Sequence, residues 1–468
     1  IESVLAEERL RNLKDGSSIM YDTTAFNLTM MYGLEAVTVP SNLEVGLKEW
    51  SPQNISIKTN PEAIIWAVDG VDDNSVAFAA RLMEKGVEVR IIDKEALLSK
   101  QSLSRGSIAV LAMDNPEYED LSETVNSIAS DLDISVLSIE SGFGAEELPD
   151  WGGRHFRLLE RPQIAILSQS GFSSYDVGVS WWSLDHHLGI RHSQIDASLV
   201  NYADLRRYNT IILPSGYRDM GEYEKKVLSD WMEQGGTLIA HAASSSALAS
   251  EQGIGSVKLL QNTFEESEKY NISLQRELSA LYEELDIESV NSNKVDLDTA
   301  YPWEQSEGKY PPSQLEYRDN WQSIFMPSGA FVSGRTDQEH WLTFGTNSTL
   351  PLLYRSYPVL MSDDSSEAPI RVGVFSDSAK ANTYSTINWS DIPPGKELNV
   401  RMSGLLWPEA AQRIANSAYL TRDRIGKGQL ILFSGEPNFR GATLGTNRVW
   451  LNAVVYGAGL GTEPRINP

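Results

Sequence analysis

Ile164-Ala165-Ile166-Leu167, Thr210-Ile211-Ile212-Leu213 and Thr237-Leu238-Ile239-Ala240 are short unbroken apolar runs within one stretch, Pro162 to Ala243. Runs of this length without polar alternation predict strands buried on both faces. Between them lie a small polar turn at Ser168–Ser174 and a helical segment that carries Trp181 and Trp182 and closes at Gly189. A further strand at Asp196–Val200, a short polar helix at Ala203–Tyr208 and an amphipathic helix at Met220–Gln234 complete the pattern. Successive strand–helix–strand crossovers predict an α/β fold with a parallel sheet and helices on both faces. Ligands and catalytic groups gather at the C-terminal ends of such strands. Those ends are Ser168–Ser174, Pro214–Asp219 and His241–Ser246, which makes Ser170, Ser215, His241, Ser244 and Ser245 candidate site residues.

Outward from this core, residues 61–150 read as a smaller α/β domain. Its predicted strands are Ala63–Val68, Val87–Ile92, Ile108–Met113 and Ser135–Ile139, with helices at Asn74–Lys85 and Tyr118–Leu132. Residues 1–60 carry an amphipathic helix, Ile1–Asp15, followed by an irregular segment and a polar linker. After Ser250 the pattern changes. Val257–Leu285 has helical periodicity and Asn291–Asp319 is polar and proline-rich, so 255–335 reads as a helical and irregular insertion. Strands at Trp341–Phe344, Ile370–Phe375, Val400–Met402 and Gln429–Phe433, with helices at Pro408–Ala418 and Val449–Tyr456, return the chain to its core. Residues 151–254 and 336–468 are therefore expected to form one domain.

Bulk composition excludes several chemistries. The 468 residues carry 64 acidic and 39 basic side chains, a net charge of −25. That balance predicts no nucleic-acid partner, because phosphate neutralisation needs a basic face. With no cysteine there is no disulfide, thiol nucleophile or thiolate metal site. No apolar run reaches the roughly 18 residues of a membrane span. The chain starts at Ile1 rather than Met and reads as a processed or trimmed product, with export to the periplasm or cell exterior as the expected localisation.

The core resembles the flavodoxin-like, class I glutamine amidotransferase-like fold, whose active members carry a cysteine at a sharp strand-to-helix turn. The matching turn here is Ala240-His241-Ala242-Ala243-Ser244-Ser245-Ser246, without a cysteine. A stand-alone serine-dependent hydrolase at this turn would need a histidine base and a carboxylate orienter. His186, His187 and His192 form the one histidine cluster, and their spacing does not match a zinc site. Trp181 and Trp182 read as core, or as a platform for a sugar or peptide in a binding module. Asp69, Asp72 and Asp73 read as a solvated turn, and Asp363-Asp364 with Glu367 as solvated surface. Arg440, in Phe439-Arg440-Gly441, is a candidate to hold a carboxylate.

Two distant stretches share a further resemblance. Tyr21-Asp22-Thr23-Thr24-Ala25-Phe26-Asn27-Leu28, continuing to Tyr32-Gly33-Leu34-Glu35-Ala36, resembles a YDxTAWxLPxxxGLEA segment. That segment follows the catalytic domain in bacterial zinc carboxypeptidases of the carboxypeptidase A type. Phe26 stands where Trp is usual, and Thr29 replaces the Pro. Gly426–Phe433, Pro437–Gly441, Gly445-Thr446 and Arg448 to Gly457 are similar to the closing segment of the same proteins. The catalytic half of that family needs His-x-x-Glu, and none of the six histidines has Glu three residues later. The resemblance thus implies a non-catalytic accessory region, an interaction or substrate-presenting module without its own cofactor. Zinc is expected only in a domain upstream. The implied partners are that peptidase domain and a peptide or cell-wall peptide substrate.

Overall fold

The computed structural model describes residues 2–16, 26–37, 63–145, 147–281, 329–355, 358–378 and 385–463, together with 39, 60, 316, 319–320 and 323–326. The predicted segments Tyr21–Ala25, most of Ser41–Asn60 and most of Asn291–Asp319 lie outside them.

The three apolar runs are strands, Ile164–Ser168, Thr210–Leu213 and Thr237–His241, and they pair in parallel. Their side chains are almost wholly buried, each Ile or Leu contributing roughly 1.5–3 kcal/mol of burial. Gly428–Phe433 joins them in parallel beside Thr237–His241, and His192–Asp196 beside Ile164–Ser168. The strand expected at Asp196–Val200 begins earlier. From Ala197 to Tyr202 the chain forms a 3-10 turn, capped by the Asp196 carboxylate on the Ser198 N–H.

The purely parallel, flavodoxin-like or amidotransferase-like sheet is overturned. Ala418–Ile425 pairs antiparallel with Gly428–Phe433 through a tight turn at Gly426-Lys427, where Gly426 takes φ +58°. A two-residue connection can only return a strand antiparallel. Beyond it Glu367–Val372, Ala330–Thr336 and Thr349–Tyr354 continue antiparallel, giving a twelve-stranded mixed sheet with a parallel part at one end. Trp341–Thr343, expected as a strand, is a 3-10 turn.

The smaller domain is α/β, with a five-stranded sheet. Ile65–Val68, Arg90–Ile92, Ile108–Leu111 and Leu137–Ile139 pair antiparallel, and Phe156–Leu158 completes the edge. Helices Ser75–Glu84 and Leu121–Leu132 cover one face.

Helix Ser267–Leu281, within the expected insertion, is tied into the main domain by polar groups. The Asn271 side-chain amide donates to Asp391 at 2.8 Å, and Arg371 forks onto Glu277 while donating to Ser362. Asp363, read as solvated, is only 5% exposed and is paired with Lys269. Among the described residues no helix is long and apolar enough to cross a membrane.

Helix Leu444–Leu460 is apolar on nearly all sides and correspondingly buried. Its Arg448 is 4% exposed and donates to Gly70 O at 2.7 Å, Asp72 O at 2.8 Å and Ser75 Oγ at 3.1 Å, all in the smaller domain. The Asp69–Asp73 turn is therefore half docking site, not simply solvated. One turn along the helix, Asn452 accepts from Arg448 Nε at 3.1 Å and donates to Leu342 O and Phe344 O. At the helix start Gly445 meets Gly33: a Cβ on Gly33 would lie 3.0 Å from the Gly445 Cα. The two sequence stretches that carry the carboxypeptidase resemblance touch in space.

Arg448→Met should strip the buried Gly70 carbonyl of this donor, while Asp72 O keeps the Ser75 N–H, and cost on the order of 1–3 kcal/mol. The check is a urea unfolding midpoint: a fall is expected, with the smaller domain's signal lost first, whereas Lys14→Met, on the terminal helix, should leave the midpoint in place.

Candidate functional site

A cleft of about 1600 Å³ opens at the C-terminal ends of the parallel strands. Its floor and rim come from the loops after Ile164–Ser168, Thr210–Leu213, Thr237–His241 and Gly428–Phe433, with Arg355, from the end of Thr349–Tyr354, closing one side. Backbone strain concentrates here. Gln169 (φ +59°), Ser170 (φ +44°), Ala242 (φ +45°) and Arg440 (φ +51°) are four of the nine non-glycine residues with left-handed φ among the described residues. Such conformations cost on the order of 1–3 kcal/mol each and persist only where the surroundings over-determine them.

Ala242 is the apex of a strand–turn–helix elbow, between strand Thr237–His241 and helix Ala242–Leu248. In nucleophile elbows this residue carries the attacking atom; here it carries a methyl group. The serines that follow face inward: Ser244 Oγ donates to Pro214 O at 2.6 Å and Ser245 Oγ to Phe433 O at 2.7 Å. Both hydroxyls lock the helix to neighbouring strand ends. His241 is 1% exposed, its Nε2 accepts the Trp450 indole N–H at 2.7 Å, and its ring packs edge-on to Phe433. Burial pushes its imidazole down to about 3. The three residues do not assemble a Ser–His pair.

Ser170 Oγ donates to Asp196 Oδ1 at 2.9 Å, and Ser215, buried at the cleft wall, accepts the Ser173 N–H on its carbonyl at 2.9 Å. Trp182 is packed on His187 and His186, with ring centroids 4.3 and 5.1 Å away, and lies against Gly441. Burial, then His186, lowers the His187 pKa, and its Nδ1 meets the Asn447 amide at 3.0 Å. Trp181 is 42% exposed, but neither tryptophan lines the cleft. His155 bonds to Asp93 and His340 to Glu367. Among the described residues no three His, Asp or Glu side chains are placed to hold a metal ion.

Arg440 does line the cleft, joined by a residue with no sequence signal. Arg355 follows a run interrupted by Pro351 and is brought in only by the antiparallel half of the sheet. Arg355 and Arg440 both stack on Phe439, at 5.3 and 4.9 Å from its ring centroid. Phe439 is itself buried against Phe331 and Leu353, with Met30 and Met31 behind them. Across the cleft, burial pushes the Asp176 carboxyl up, opposed by the Ser173 hydroxyl and Arg355. Five Lys or Arg and three Asp or Glu line the space, and two of the cations, Arg218 and Lys225, are paired with Glu224 and Glu222 just outside it.

No family model and no curated protein matches the sequence. Among solved structures, the chain is similar to a ThuA-like protein of Bacteroides uniformis at 12% identity and TM-score 0.31, covering 65% of this chain and 95% of that one. It is similar to a β-galactosidase of Bacillus circulans sp. alkalophilus at 11% and 0.32, covering 79% and 38%. An exo-β-1,4-mannosidase of Opitutaceae bacterium strain TAV5 follows at 9% and 0.28, covering 62% and 35%. Likeness at this level carries no weight for activity, and nothing among these structures points to a carboxypeptidase.

Because His241 stays neutral when folded and titrates near 6.5 when unfolded, its contribution is complete above pH 6.5 and declines as pH falls toward 3. The slope it adds is at most about 1.4 kcal/mol per pH unit. Urea midpoints between pH 7 and 5 should fall faster for the unmodified protein than for His241→Gln; parallel curves would contradict a buried neutral imidazole.

Proposed function

We propose that this chain is a non-catalytic binding module, the accessory region of an exported zinc carboxypeptidase-like protein whose metal-bearing domain lies upstream. The observation that carries the first part is the elbow: the apex is Ala242, and Ser244 and Ser245 donate to strand-end carbonyls. A nucleophile needs a base within hydrogen-bond reach, and His241 accepts from Trp450 instead. What remains of a hydrolase-like layout is a shaped, charged cleft, suited to holding or presenting a ligand. The second part is supported by the resemblance at the two chain segments and by their meeting at Gly33 and Gly445. Zinc chemistry would be supplied by the upstream domain.

The purified 468-residue chain should neither hydrolyse peptide, amide and ester substrates nor be labelled by a fluorophosphonate. Labelling at Ser244, Ser245 or Ser246, or turnover lost on Ser244→Ala, would overturn the reading in favour of a serine-dependent hydrolase.

A further inference from the structure

We propose that the cleft binds a neutral oligosaccharide, with Tyr175 and Tyr217 as the rings on which its sugar faces stack. This rests on the binding-module reading above and adds the class of ligand that the module takes.

Four observations converge on it. The first is where the two rings stand. Tyr175 lies in the first turn of helix Ser174–Trp182, and Tyr217 follows Gly216 in the loop after strand Thr210–Leu213; both line the cleft. They are 86% and 97% exposed, and neither makes a hydrogen bond or ring contact within the described residues. A tyrosine commonly packs its apolar body and leaves its polar tip to water. Two bare rings at one opening are surface for a ligand to cover.

The second is their mounting. Ser173 N donates to Ser215 O at 2.9 Å, and Phe172 and Gly216 form an antiparallel bridge. A Cβ on Gly216 would sit 2.8 Å from the Phe172 Cα and 2.9 Å from Gly171 O, so only glycine lets the two loops approach this closely. The Ser173 hydroxyl accepts from the Asp176 N–H at 3.4 Å and so caps the helix that carries Tyr175. Both rings project from one braced lip, and little backbone ordering is left for a ligand to impose.

The third is charge. The cations around the cleft are engaged within the protein. Arg218 is paired with Glu224 and Lys225 with Glu222, and Arg413 donates to Met326 Sδ at 3.5 Å. Arg355 and Arg440 stack on Phe439, and Arg355 also acts on the Asp176 carboxyl. An anionic ligand would have to disturb these arrangements before it gained a counter-ion. What stays open is hydrogen bonding: among the described residues the Ser246 hydroxyl, the Gln252 amide and the Asp219 carboxylate line the cleft without a protein partner. Sugar hydroxyls, which both donate and accept, match that set.

The fourth is the backbone around the cleft. An extended peptide is held by main-chain pairing with an open strand edge. Ile164–Ser168, Thr210–Leu213 and Thr237–His241 each lie between two neighbouring strands, and they meet the cleft with their ends. A glycan needs no ladder, because its C–H faces pack on aromatic rings while its rim hydroxyls bond to side chains. A space of about 1600 Å³ exceeds the roughly 300–1,000 Å³ of small-molecule pockets, which suits several linked sugars.

The test is isothermal titration calorimetry of the full chain with four neutral hexasaccharides, of β-1,4-glucose, α-1,4-glucose, β-1,4-mannose and β-1,4-N-acetylglucosamine. A hexapeptide of alternating alanine and tyrosine, capped at both ends, is titrated beside them. At least one saccharide should bind more tightly than the peptide, with an affinity that added salt leaves unchanged. Tyr175→Ala and Tyr217→Ala should each weaken that binding roughly tenfold and leave the thermal midpoint in place, since both rings are exposed. Tyr175→Phe and Tyr217→Phe should keep most of it, because the stacking face remains. Binding of none of the four at millimolar saccharide, tighter binding of the peptide than of every saccharide, or saccharide binding that survives both alanine variants overturns the inference and leaves the non-catalytic reading standing. Failure of that reading would show differently, as shortened saccharide or peptide by mass spectrometry in the same samples.

Discussion

A single buried guanidinium ties the molecule together. Arg448 sits in the second turn of helix Leu444–Leu460, nearly without solvent, and its donors go to two carbonyls and a hydroxyl of the smaller domain and to Asn452. Burying a charge is costly unless every donor is satisfied. The arrangement therefore tolerates little displacement between the helix and the Gly70–Ser75 turn. Asn452 extends the same constraint to the Leu342–Phe344 segment and Trp450 to the end of strand Thr237–His241. Three regions far apart in sequence are indexed to one helix, and the cleft inherits its shape from that indexing.

Chemistry at the strand ends follows from what occupies the strained positions. A left-handed residue at the apex of a strand–helix turn is the geometry that exposes a nucleophile, and here the geometry persists around Ala242 while the hydroxyls next to it brace the walls. Strain at Gln169 and Ser170 shapes the opposite rim, with Ser170 fastened to Asp196. Of the cationic side chains around the cleft, Lys225 and Arg413 sit on helices and Arg355 at the end of an antiparallel strand, places that no strand-end rule singles out.

Much of the parallel part was legible in the chain. Unbroken Ile and Leu runs can only be satisfied between two covered faces, so Ile164–Ser168, Thr210–Leu213 and Thr237–His241 announce themselves. The antiparallel half did not. Ala418–Ile425 mixes Arg422, Asp423 and Arg424 with apolar residues, and its signal was the Gly426-Lys427 turn to an obvious strand. Asp363 looked solvated because its partner Lys269 lies almost a hundred positions away, on a helix whose docking no local pattern encodes, whereas Asp364 is exposed as expected, with Arg276 beside it. For the same reason Arg440 could be suspected from its turn, whereas Arg355 required the tertiary fold.

The most direct measurement is a crystal structure of the chain. The account predicts left-handed φ at Ala242, the Ser244 hydroxyl on Pro214 O and His241 Nε2 on the Trp450 indole N–H. A serine hydroxyl turned onto His241, with a carboxylate on the other ring nitrogen, would contradict a non-catalytic elbow.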